Sequence, residues 1–236
     1  MKELYYNRQF AHNVPDFEEF VSPLTGTSKW WKSLNTFTDP SIKNIRQWFI
    51  KYKNNTPPEN TIKSCPGILD LFKRSYLVKW PCEVLLETSI DNDGSPKWRW
   101  NIPDPILSFN SHSLKQWQSS VQIYKNKFNL KIELPYLLGA SKPVSLMYLP
   151  PSYHTSEVEY DVMPGIITLN KKVTNDFNIN LMLPIEEKVY HFKTGQPLVY
   201  ITLLNESQTL KFKENKNTVI WPRVNFMNAY KRIKEE

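Results

Sequence analysis

Residues 144–204 break into five or six short runs of alternating apolar and polar positions, each closed by turn-forming residues. That spacing predicts an antiparallel sandwich or barrel. Strands are expected at 121–134, 144–149, 156–162, 165–170, 177–183, 187–192, 197–204 and 208–212. Leu198-Val199-Tyr200-Ile201 is apolar on both faces, as in a strand covered on both sides. Upstream, Tyr76–Trp80 and Glu83–Ile90 lead into Asp91-Asn92-Asp93-Gly94, a strong hairpin turn. The return strand Lys97–Asn101 places Trp98 and Trp100 on one face, because side chains alternate along a strand.

Helical periodicity is confined to the flanks. Within 39–54, Ile42, Ile45, Phe49 and Tyr52 recur at three- and four-residue spacing with Trp48 beside them. Asp39 is placed as N-cap and Pro40 at the first helical position. A second helix is expected at 66–74, capped by Ser64, and a third at 222–235. Residues 1–28 and 103–120 show no clear period. Prolines adjoin apolar runs at Trp80-Pro81, Leu134-Pro135 and Leu183-Pro184, where they are expected at strand ends and edges.

The expected fold is therefore mainly β, an antiparallel sandwich or jelly-roll-like barrel. A basic helical N-terminal annex (1–75) and a C-terminal helix flank it, the β-domain covering 76–236 in one compact unit.

Charge sharpens this picture at one place. Residues 29–79 hold ten Lys and Arg against Asp39, Glu59 and Asp70, which accounts for the whole net charge of +7. Lys43, Arg46, Lys51 and Lys53 lie mostly off the apolar stripe of the first helix. With the paired Trp30 and Trp31 they form the candidate partner-binding residues. Cations interleaved with aromatics also suit single-stranded nucleic acid. The preferred reading docks the apolar stripe on the β-core and leaves the lysines solvated.

Catalytic chemistry finds little support in the sequence. Six isolated glycines provide no phosphate-binding loop, and no GxSxG elbow is present. Cys65 and Cys82 are too few for a disulfide scaffold, and both are expected reduced and buried. No run of eighteen apolar residues and no apolar leader appear, so a virion or cytoplasmic location is expected, without a membrane. One metal constellation can be assembled from His154, Glu157 and the distant His191. Their chemistry is that of a 2-His-1-carboxylate iron site, as in oxygenase barrels. The His-x-x-Glu spacing puts two of these ligands on opposite faces of a regular strand, so the site requires a turn near Pro150-Pro151. A simpler reading gives His191 a local partner. Glu157, Glu159 and Asp161 alternate along one expected strand face, either solvated or facing a basic neighbour.

One order of segments is familiar: CPGILDLFKRSYLVKWPCEVLLE, the Trp98/Trp100 hairpin, MYLPPSYH, PGIITLNKKV and FKTGQPLVYITLL. Over residues 64–205 this resembles a family of β-rich proteins from bacteria and large, marine-type tailed phages. The resemblance implies a β-sandwich and a phage-like origin, and it carries no catalytic residues or cofactor with it. The resulting expectation is a non-catalytic protein, structural or accessory to a virion, whose partners are other protein subunits, copies of itself included. No cofactor is expected on this reading. The alternatives are the metal-dependent oxygenase and a non-specific nucleic-acid binder.

Overall fold

The computed structural model describes residues 2–8, 20–21, 33–39, 41–52, 61–101, 107–111, 126–153, 159–169, 175–204 and 210–214. In chain order the elements are β1 (Lys2–Arg8), β2 (Phe20–Val21), α1 (Ile45–Tyr52), α2 (Pro66–Arg74), β3 (Ser75–Lys79), β4 (Val84–Ile90) and β5 (Pro96–Asn101). There follow β6 (Ser108–Asn110), β7 (Lys127–Ala140), β8 (Val144–Leu149), β9 (Asp161–Val162) and β10 (Gly165–Leu169). The series ends with β11 (Asn175–Pro184), β12 (Lys188–Phe192), β13 (Pro197–Leu203) and β14 (Leu210–Glu214). The chain is mainly β, as its alternation predicts.

Three sheets form. The largest has the order β14-β1-β7-β11-β9, with β6 also paired to β7; the second is β10-β8-β13-β3-β2; the third is β12-β4-β5. Pairing is antiparallel except between β1 and β14, which run parallel. Residues 2–8 and 20–21, where no period is visible in the sequence, thus join two of the sheets.

Alternation decides what is buried. Along β7 the even positions from Phe128 to Ala140 enter the core, as do Phe177, Ile179, Leu181 and Leu183 of β11. Val78, Leu146, Val199 and Ile201 of the second sheet and Val84, Leu86 and Phe192 of the third join the same cluster. The second sheet is also covered on its opposite face. There Leu77 and Tyr200 pack with Phe72 of α2, whose ring meets Tyr153 edge-on at 5.7 Å. This explains why β13 reads as apolar on both faces.

Pro135 departs from the expectation that proline marks a strand end, since it lies inside the fourteen-residue β7. A proline cannot donate to a ladder, so a central strand normally excludes it. Here β6 pairs with 131–133 and β1 with 136–140 on one edge, leaving a gap at the proline. On the other edge Leu137 pairs with Asp176 and Glu133 with Asn178, so residues 134–136 stand opposite Phe177 alone. The two additional residues preserve the inward-outward alternation on both sides of the irregularity.

The second and third sheets share a corner. The β3–β13 ladder continues past the strands: Trp80 N–H donates to Gln196 O (2.8 Å) and Gly195 N–H to Trp80 O (2.9 Å). Gly195 has φ of 80°, a left-handed conformation that glycine adopts without steric cost. The Asp91–Ser95 hairpin forms as predicted, with Gly94 at φ 79°.

The helices differ in detail from the sequence expectation. α1 begins at Ile45 rather than near Asp39. Asn44 Oδ1 accepts from Gln47 N–H (3.0 Å), and Gln47 Oε1 accepts from Lys43 N–H (2.8 Å), so Asn44 performs the capping. Asp39 instead closes a turn with Ser41 and receives Lys51 Nζ at 2.8 Å. α2 has the expected bounds, but Cys65 rather than Ser64 is its N-cap. Cys82 is buried as expected, whereas Cys65 is exposed. Residues 222–235 lie outside the described residues.

Candidate functional site

The residues singled out in the sequence separate into three groups. Trp30, Trp31, Lys53, His154 and Glu157 lie outside the described residues. Lys43 and Arg46 are exposed on and beside α1, as an outward basic face requires. Lys51 is engaged with Asp39 and with Ser41 Oγ at 2.7 Å, which ties the helix to the turn before it. His191 points outward from β12, and its Nε2 contacts a carboxylate oxygen of Glu83. Among the described residues no group of three or more His, Cys, Asp and Glu side chains could hold a metal ion. Glu159 pairs with Lys188 at 3.0 Å, and Asp161 pairs with Lys127. That hydrogen bond to Glu159 is the main reason the Lys188 ammonium titrates above the usual lysine range. These two carboxylates therefore face lysines of their own chain rather than an open acidic row. Within the described part of the expected 156–162 strand, only Asp161 and Val162 are strand.

On the outward side of the large sheet, Glu133 accepts from Lys131 Nζ at 2.8 Å and from Asn110 Nδ2 at 3.3 Å. The Lys131 hydrogen bond first, against some desolvation, holds its carboxyl below the ordinary value of 4.5. On β5 the indoles of Trp98 and Trp100 stack at 4.9 Å, and Trp100 reaches Phe109 of β6 at 5.2 Å. These ring contacts link β5 of the third sheet to β6 of the large one.

A different feature emerges when the sheet margins are compared. Edge strands expose unpaired N–H and C=O groups, and proteins blunt them with charge, proline or short length. Every other described margin carries such a device. β2 and β9 have two residues each and β6 three. β5 contains Pro96, Lys97 and Arg99; β12 contains Lys188 and His191; β14 contains Lys211, Lys213 and Glu214. β10 has none. Its five residues, GIITL, include no charge and no proline, and among the described residues it pairs with β8 alone. Among the described residues no other backbone hydrogen bond reaches it.

The local sequence explains how this strand is held in place although only one of its edges is paired among the described residues. Leu169 is buried in the common core and Ile167 packs against it, so the inward side chains fix the strand. Ile166 and Thr168 point outward, and Ile166 is 65% exposed. The site thus offers a row of backbone donors and acceptors next to an exposed aliphatic side chain. Its chemistry is that of strand addition, in which ladder hydrogen bonds supply affinity and alternate side chains supply selectivity. In the sequence these residues announce a strand; their place at a margin depends on topology, which no local pattern encodes.

Among the described residues no helix is long and apolar enough to cross a membrane. No family model, characterised protein or solved structure matches this chain.

Proposed function

We propose that this chain is a non-catalytic β-sandwich protein that works by joining other protein chains, as a structural or accessory component of a tailed-phage-like particle. The observation that carries the reading is the uncharged β10 edge, which no strand covers among the described residues, with Ile166 exposed beside it. An uncharged, anchored edge strand is a template for a further strand, and its cost in solution is aggregation unless a partner covers it. The two-layered packing of the large and second sheets on a common core supports the sandwich assignment. The resemblance of residues 64–205 to β-rich phage and bacterial proteins supports the particle context.

Native mass spectrometry with metal analysis, on protein isolated from its own source, tests this. The expected result is a stoichiometric complex with other chains that the variant I166K/T168K no longer forms. A monomer contradicts the proposal. If that monomer carried close to one iron or manganese per chain, His154, Glu157 and His191 would become the first residues to mutate.

A further inference from the structure

We propose that the outward face of the large sheet, where β6, β7 and β11 run side by side, binds a neutral saccharide through the carboxamides of Asn178 and Asn180. This site is separate from the β10 edge and does not depend on the strand-addition reading.

Register assembles the face. Ser108, Glu133 and Asn178 form one row across β6, β7 and β11, and Asn110, Lys131 and Asn180 form the next. Their strand neighbours Phe109, Ile132 and Ile179 enter the core, so alternation turns both rows outward. Asn129 stands in the following row, opposite Met182 and diagonal to Asn180.

Unmatched acceptors mark this face as a site. The side-chain oxygens of Asn129, Asn178 and Asn180 are buried, and none has a hydrogen-bond partner among the described residues. Asn129 is 1% exposed, and its Nδ2 donates to Met182 Sδ at 3.5 Å. Folded proteins rarely leave one such oxygen unsatisfied, and here three lie on neighbouring positions of one face. Asn178 and Asn180 are half-buried, and the last side-chain torsion of asparagine is broad. A turn about it brings either oxygen to a ligand at the surface.

Charge selects the ligand. The acceptors call for a molecule that brings donors. An ammonium group or a metal ion would meet the Lys131 ammonium in the middle strand, which already pairs with Glu133 at 2.8 Å. A hydroxyl donates without charge, and a carboxamide, with an acceptor beside two donors, matches hydroxyls on adjacent carbons of a sugar ring. The apolar side of such a ring has an aromatic surface at the margin of the rows. There Trp100, 40% exposed, contacts Phe109, the residue between Ser108 and Asn110.

Isothermal titration of the full chain tests the proposal, with neutral oligosaccharides of glucose, galactose, mannose and N-acetylglucosamine, and with calcium chloride alone. The parent is expected to bind at least one of these saccharides and not calcium. N178V/N180V keeps residues suited to a strand and removes two of the unmatched acceptors. It is expected to weaken saccharide binding about tenfold or more, while its urea midpoint stays level or rises. A parent that binds none of these saccharides, or that binds calcium in their place, overturns the proposal. So does a variant that binds as tightly as the parent. A lowered midpoint would make the carboxamides structural and equally overturn it. I166K/T168K is expected to retain saccharide binding whether or not it loses its native complex, so this proposal and strand addition fail separately.

Discussion

The indole of Trp80 and the phenyl ring of Phe192 lie face to face, 4.4 Å apart and 3° from parallel. Tyr160 meets the indole edge-on at 6.4 Å and donates its hydroxyl to Pro197 O at 3.1 Å. Burial pushes that phenol far above the usual tyrosine range. Three aromatic side chains from separate segments thus fill the corner where the second sheet passes into the third. Trp80→Ala is expected to cost about 3–5 kcal/mol, the ordinary loss for a large aromatic removed from a core. Urea denaturation measures it, and a loss below about 1 kcal/mol would mean that the corner does not organise the sheets.

Ser75 and Thr202 face each other across β3 and β13 beneath α2, their hydroxyl oxygens 2.6 Å apart and both residues buried. Thr202→Val leaves the Ser75 hydroxyl without this partner and is expected to cost about 1–3 kcal/mol. The double variant S75A/T202V is expected to recover most of that loss, because both polar groups are then removed together. A double-mutant cycle in denaturant reports the coupling; additive losses would show that the pair does not act as a unit.

Glu133 gives the fold a defined acid dependence. Its folded pKa is depressed, chiefly by Lys131. The stabilising contribution is therefore complete above the unfolded value and is lost as pH falls through the folded one. Lys131→Met is expected to raise the Glu133 pKa toward 4.5 and to reduce the fall in stability at acid pH. Carboxyl NMR titration provides the direct readout; an unchanged midpoint would show that Lys131 is not the cause.

The basic helix makes a separate prediction. Nucleic-acid binding through it would weaken steeply with added salt. Lys51 is already held by Asp39 and Ser41. The Lys43/Arg46/Lys51/Lys53 quadruple alanine variant is expected to bind DNA and RNA no more weakly than the parent in a salt titration. A large, salt-dependent loss would assign this face to nucleic acid.

Strand content was legible because alternation reports burial on one face. Val144–Leu149 and Pro197–Leu203 follow directly from it. α1 started late because Asp39 and Asn44 are both good caps, and the choice between them depends on Lys51 returning from twelve residues away. β7 ran past Pro135 because the pairing gap that tolerates proline is made by β1, β6 and β11, all distant in sequence. The candidate site was hidden for the same reason. GIITL reads as a strand, but whether its second edge is filled depends on the order of strands in the sheet. The histidines attracted attention through residue type and the His-x-x-Glu spacing, and His191 lies against Glu83.

Amide hydrogen exchange along β10, compared between the isolated protein and the complex purified from its own source, tests the central claim most directly. If Gly165–Leu169 receives a strand, its edge-facing amides are better protected in the complex, and I166K/T168K prevents that gain while the rest of the second sheet exchanges as before. Exchange at β10 that is identical in the isolated protein and in the complex would contradict the account.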